Sequence, residues 1–360
     1  MTHNLASIIA GRYITNEHLV SFFQTLNKEI FNVLEAGKSV NNLPIYRVDF
    51  GTGSYKILLW SQMHGNESTT TKAVLDLLDY IQMNDKQDWL SKFTFCFIPI
   101  LNPDGAEAYT RVNANGIDLN RDSKDLSQPE SLVLRHVFED FKPNLALNMH
   151  DQRTIFGVGA ENKPATLSFL APSFNETRDI NETRLFAMQL ISCMATSLAS
   201  EIPGQVGRFD DSFNINCIGD MFTYLKVPTI LFEAGHYPSD YEREETRKLV
   251  FKSLVVLLDS LLTKSYQKFT YEMYQDIPEN EKTFVDVLIK NYETTNEFFK
   301  NRVGLPVFFK ETLANGRIEF LPTIDFEVAP NFKYGHIELD FNRLEINSEK
   351  QLEAYLKELT

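Results

Sequence analysis

His64-Gly65-Asn66-Glu67 sets an imidazole and a carboxylate three residues apart, in a loop that enters a helix. Zinc accepts both donor types, and catalytic zinc sites combine three protein ligands with an open position for water. Alone the pair is weak evidence, because H-x-x-E arises readily by chance and a helix-start glutamate beside a surface histidine explains it. His150 closes the apolar run Leu145-Ala146-Leu147-Asn148-Met149. A strand-end histidine is more often an edge residue than a ligand. With His64 and Glu67, however, it completes a set of two imidazoles and one carboxylate in a chain of seven histidines.

Between these positions lie Asn102-Pro103-Asp104-Gly105 and then Arg111-Val112-Asn113-Ala114-Asn115-Gly116-Ile117-Asp118-Leu119-Asn120-Arg121. Two arginines and an asparagine near a metal suit a substrate carboxylate, since guanidinium offers paired donors matched to it. A surface loop with capping Asn and Asp accounts for the same composition. Glu233, in Phe232-Glu233-Ala234-Gly235, ends an otherwise apolar strand. Charged residues are seldom buried without a partner. A carboxylate there either pairs with a cation, one of those arginines included, or acts on a water at a metal.

These residues need elements to hold them. Periodicity predicts a helix over 16–35, strands over 44–50 and 55–60, and a helix over 68–83. Further on it predicts a buried strand over 93–100, a turn at 102–105, a helix over 130–141 and a strand over 145–149. Residues 151–180 read as a long irregular excursion of the kind that shapes pockets. Helices over 182–200, 218–225 and 240–262 flank a strand over 229–232. Alternating strands and helices indicate a layered α/β domain. His64, His150 and Glu233 each fall just beyond an apolar strand run, where open α/β sheets bind ligands. From about residue 266 the texture changes to short strands over 305–310, 317–325 and 336–341, with a hairpin turn at Asn315-Gly316. The expected division is a catalytic domain over 1–268 and a small C-terminal α+β or β-rich domain over 269–360.

The order H-x-x-E, N-P-D-G, R-x-N-x-x-G-x-D-L-N-R, strand-end His and strand-end Glu resembles the zinc metallocarboxypeptidase family across about residues 55–265. The resemblance implies an α/β fold with a mixed, largely parallel eight-stranded sheet flanked by helices. It implies one zinc ion (Zn2+) per chain on His64, Glu67 and His150. By the same resemblance Glu233 is the general base and Arg111 polarises the substrate carbonyl. Asn120 and Arg121 correspond to the pair that grips the substrate carboxylate. The family's substrate-closing tyrosine has no counterpart in Phe209-Asp210-Asp211-Ser212-Phe213. Tyr224 and Tyr237 are nearby, Tyr224 reading as core packing. His236 reads as a loop residue and Asp220 as a helix-surface acid.

Composition narrows the field. The hydrophobic fraction of 43% and charged fraction of 23% suit a globular protein with a sizeable core. A net charge of −14, from 35 Lys plus Arg against 49 Asp plus Glu, argues against nucleic acid or an anionic membrane as the main partner. Residues 5–10 are too short an apolar cluster for a signal peptide, and no segment approaches the ~20 apolar residues of a bilayer span. Three cysteines without short spacings read as reduced thiols. Glycosylation-like triplets at Asn66, Asn175 and Asn181 read as coincidental, and a cytoplasmic location is expected. The expected substrate is a small peptide or N-acyl amino acid with a free carboxylate. The runner-up is an N-acyl-amino-acid deacylase like the succinylglutamate desuccinylase and aspartoacylase group, which shares H-G-x-E and N-R. A non-catalytic zinc or peptide-binding protein is the third possibility.

Overall fold

The computed structural model describes residues 9–159, 161–295, 304–323, 332–343 and 345–357. The chain opens with α1 (Asn16–Phe23), β1 (Phe31–Lys38), β2 (Pro44–Phe50), β3 (Tyr55–Ser61), α2 (Thr69–Met83), α3 (Gln87–Lys92) and β4 (Phe93–Ile98). Next come α4 (Pro103–Ala108), α5 (Pro129–Phe141), β5 (Leu145–Asp151), β6 (Phe156–Val158), β7 (Leu167–Leu170), α6 (Glu182–Leu198) and β8 (Val206–Arg208). They are followed by α7 (Ile218–Tyr224), β9 (Thr229–Ala234) and α8 (Glu244–Thr263).

Eight strands form one mixed sheet in the order β1-β2-β4-β3-β5-β9-β7-β8. The central strands β4, β3, β5 and β9 run parallel, as expected of strands buried on both faces. The apolar runs of β3 and β5 supply both layers by alternation. Ile57, Leu59, Leu147 and Met149 join the core made with α2, α6 and α8. Leu58, Trp60 and Ala146 face the core made with α5 and α7.

Three elements differ from expectation. The helix predicted over 16–35 ends at Phe23, and Phe31–Lys38 is instead an edge strand antiparallel to β2. The apolar spacing through Leu26 and Ile30 imitates a helix, but local side-chain bonds compete with it. Thr25 Oγ1 donates back to the Phe22 carbonyl, and Asn27 Oδ1 accepts from the Glu29 N–H. Asn102-Pro103-Asp104-Gly105 is not a turn but the start of α4, with Asn102 as its cap and Pro103 in its first turn. The excursion over 151–180 carries β6 and β7, both too short to register as periodicity.

The remaining strands are β10 (Asn280–Lys282), which pairs with β6, and β11 (Phe284–Lys290), β12 (Leu305–Ala314), β13 (Arg317–Thr323) and β14 (Tyr334–Asp340). The last four form a second sheet in the order β13-β12-β11-β14. Short helices α9 (Tyr271–Gln275) and α10 (Glu349–Lys357) flank them in sequence. Asn315 and Gly316, with φ of 50° and 73°, make the hairpin turn that their identities predict. The strand expected over 317–325 ends at Thr323, and residues 324–325 lie outside the described residues. Cys96, Cys193 and Cys217 form no disulfide. Among the described residues no helix is long and apolar enough to cross a membrane.

Candidate metal centre and active site

The loop after β3 carries His64 and Glu67, and its path is set by close backbone contact. A Cβ on Gly65 would meet the Gly105 carbonyl carbon at 2.0 Å, so the loop lies directly on α4. Asn102, besides capping α4, donates its amide to the Met63 carbonyl at 3.3 Å. The two sequence motifs are thus halves of one packed corner. On the other side Asp151, at the end of β5, accepts from the N–H groups of Thr69 and Thr70 and fixes the start of α2.

Nδ1 of His64 lies 2.9 Å from Oε1 of Glu67, and Nδ1 of His150 lies 2.8 Å from Oε2 of Glu67 and 3.1 Å from Nδ1 of His64. All three side chains are buried. Nε2 of His64 stands 2.9 Å from Oδ1 of Asp118. An ionised carboxylate only accepts, so Nε2 carries a proton, and Nδ1 is the nitrogen that would turn its lone pair to a metal ion. Donors about 2.0–2.1 Å from a tetrahedral ion would sit about 3.3 Å apart, close to the spacing seen. Of the described residues, only these three form a group of His, Cys, Asp or Glu able to hold a metal ion. The donor set fits zinc.

The donors also act on one another's charge. Burial works to raise the Glu67 carboxyl, but His64 and His150 outweigh it and hold Glu67 well below the usual carboxylate range. Burial lowers His150, only partly offset by Glu67. Burial also acts to lower His64, yet Glu67 and Asp118 together raise it. Arg111 donates through Nη1 to Glu67 at 3.2 Å and through Nε to Asp118 at 3.0 Å, with 48% of its side chain still exposed.

Glu233 is the cross-strand neighbour of His150 in the parallel pair β5–β9, and of Ser168 on β7. Both His150 and Glu233 lie within their strands, not just beyond them as expected, because the ladder continues to Asp151 and Ala234. Burial, then the nearby Glu67 and Asp151, push the Glu233 carboxyl well above its ordinary value, with Arg111 and Arg243 opposing. Asn120 and Arg121 lie on a single helical turn capped by Asp118. Asn120 Oδ1 accepts from the Ile218 N–H at 3.0 Å, tying that turn to α7, while Arg121 is exposed and donates to the Asn120 carbonyl. A cavity of about 280 Å³ opens beside Glu67 and Arg111.

Residues 17–157 match the family model described as zinc carboxypeptidase. That match takes in less than half of the chain. Among curated proteins the chain is similar to carboxypeptidase 2 of Trichophyton tonsurans, at 33% identity over 104 residues, 27% of this chain and 19% of the relative. Carboxypeptidase SOL1 of Arabidopsis thaliana is 27% identical over 164 residues, 38% of this chain and 33% of the relative. The matches thus span about a fifth to a third of those relatives' length. The carboxypeptidase fold extends further. A metallo-carboxypeptidase from Burkholderia cenocepacia superposes with a TM-score of 0.55 at 18% identity, over 69% of this chain and 70% of that one. Carboxypeptidase A from Helicoverpa armigera gives 0.54 at 17% identity, over 70% and 74%. The matched region includes His64, Glu67 and His150, the three residues whose side chains could hold a metal ion.

Sequence reasoning missed Asp118 as a site residue. Its signal was present in D-L-N-R, but an Asp before a helical turn reads as a cap, which it also is. Two smaller readings need correcting. Tyr224 is 57% exposed, not core, because it ends α7 on the solvent side. Asp220 is not on the surface: only 7% exposed, its carboxyl is pushed up to about 7 by burial, against the pull of Arg184. His236 is a loop residue as expected, and a buried one, its ring tilted against those of His336 and Tyr241 with centroids 4.1 and 4.6 Å away.

Proposed function

We propose that this protein is a zinc-dependent metallocarboxypeptidase, hydrolysing an amide bond next to a substrate carboxylate. His64, Glu67 and His150 hold one zinc ion and Glu233 is the general base. The observation that most supports this reading is the convergence of three buried donors, within 4.8 Å of one another, one of which, His150, is the cross-strand neighbour of Glu233. Zinc bound there supplies Lewis acidity, polarising a carbonyl and lowering the pKa of a water from about 16 towards about 7. Glu233 accepts the proton of the attacking water at its carboxylate and returns it to the departing amine nitrogen. Arg111, steadied by Glu67 and Asp118, donates to the carbonyl oxygen as negative charge builds on it. Asn120 and Arg121 hold the substrate carboxylate and so determine which bond is presented. The substrate is a small peptide or N-acyl amino acid with a free carboxylate, and the place of action is the cytoplasm. The catalytic domain is residues 1–268, and 269–360 form the second, smaller domain.

The test is hydrolysis of peptides with free C-terminal carboxylates by zinc-loaded protein, reversed by a chelator and restored by zinc. Glu233→Gln should lower kcat by about 10²–10⁴ while zinc content stays at the wild-type level. Near wild-type turnover by that variant would remove Glu233 from the role of base.

A further inference from the structure

The cavity beside the metal donors is not built by the first sheet alone. Glu67, Arg111 and Tyr241 share it with Phe308, Phe309 and Phe320 from β12 and β13. Tyr241 packs its ring against Phe309 at 5.1 Å and Phe320 at 5.3 Å, so the far wall sets aromatic rings beside the charged Asp286 and Glu311. That wall is firmly fastened. Arg12 pairs with Glu311 at 3.1 Å, Tyr109 Oη donates to Glu311 at 2.6 Å, and Tyr241 Oη donates to Asp286 at 3.0 Å. His336 Nε2 also donates to the Thr154 carbonyl at 2.7 Å. Charge-assisted bonds such as those to Glu311 are strong and geometrically specific.

Asn120 and Arg121 do not line this cavity. Arg111 stands between them and it: it faces the cavity, and its Nε reaches Asp118, which caps Asn120. With the substrate carboxylate at Asn120 and Arg121 and the scissile carbonyl at Arg111, the amino side of the substrate enters the cavity. A volume of about 280 Å³ lies at the small end of ligand pockets, which run from roughly 300 to 1,000 Å³. We propose that the C-terminal sheet walls off the amino side of the cleft, restricting the enzyme to substrates with a single residue or acyl group there. This rests on the carboxypeptidase reading above. It makes the second sheet a specificity element, with Phe309 and Phe320 setting the length limit.

The experiment uses full-length zinc-loaded protein and peptides sharing one C-terminal residue, with one, two or four residues on the amino side. Affinity is measured by calorimetry on Glu233→Gln, and kcat/KM on the protein with Glu233 intact. One-residue substrates should bind at least tenfold more tightly than four-residue ones. Phe309→Ala and Phe320→Ala should shrink that gap to less than threefold. Phe309→Leu and Phe320→Leu, which keep an apolar side chain should the alanines fail to fold, should shrink it partly. Equal affinities at all lengths, or a gap unchanged in folded variants, would overturn the proposal. Length-selective binding without any turnover would keep the wall and sink the hydrolase reading. Turnover of all lengths alike would do the reverse.

Discussion

Asp118 is the residue whose replacement tests most directly how the metal donors are held. Its Oδ1 accepts from His64 Nε2 at 2.9 Å and its Oδ2 from Arg111 Nε at 3.0 Å. Asp118→Asn keeps the size but cannot keep both bonds. If the amide oxygen faces His64, the NH2 group confronts the Arg111 N–H, and if it turns, the histidine loses its acceptor. In the second case the imidazole proton is free to move to Nδ1, where it blocks the metal lone pair. Removing such outer partners costs about 10–100-fold in metal affinity, equivalent to about 1.4–2.7 kcal/mol. Competition against a chromophoric chelator reads the zinc affinity, and thermal melting of the zinc-free protein shows whether the fold is intact. A folded Asp118→Asn protein that holds zinc as tightly as the wild type would refute the argument that this carboxylate orients His64.

Arg121→Ala should raise KM about 10- to 100-fold for substrates with a free carboxylate, the scale of one charged hydrogen bond, and leave the matching amides unaffected. An equal loss on both would argue against the carboxylate grip. Asp220 titrates at about 7 in the folded protein and near 3.9 unfolded, so the folded state holds the proton more tightly. The stability this contributes is complete below about pH 4 and lost as pH rises through about 7. Urea unfolding should therefore find Asp220→Asn gaining on the wild type between pH 4 and pH 8, by on the order of 4 kcal/mol at most. A difference that does not vary with pH would contradict it. Arg247 grips Asp76 with Nε and Nη2, both at 2.7 Å, between two helices in the core. Arg247→Met strips that buried carboxylate of its bidentate contact and should cost about 3–5 kcal/mol, with Asp76→Leu/Arg247→Met recovering part of the loss. A single variant within 1 kcal/mol of the wild type, on the order of an exposed pair, would refute this.

How much of this was legible in the sequence depended on length and burial. The runs at Leu58, Leu147 and Ile230 are continuous and apolar because their strands are covered on both faces, and they were readable for that reason. Phe156–Val158 and Val206–Arg208 are three residues each and leave no period to detect. Phe31–Lys38 misled because an edge strand with one wet face borrowed the apolar spacing of the helix before it. His64, Glu67 and His150 could be listed from residue type, but their convergence depends on strand pairing across 83 and 86 positions, which no local pattern encodes. Asp220 and Tyr224 share one short helix and were each assigned the wrong face, since seven residues are too few to phase it.

His150 and Glu233 are held opposite each other by the backbone ladder of two adjoining strands, not by any bond between their side chains. Neighbouring strands lie about 4.8 Å apart, and successive side chains point to opposite faces. One extra residue ahead of Glu233 within its strand would therefore rotate the carboxylate into the opposite helical layer while every backbone hydrogen bond could re-form one step along. The separation and the side on which the two groups meet are thus metered by peptide geometry, and that gauge survives substitution but not insertion.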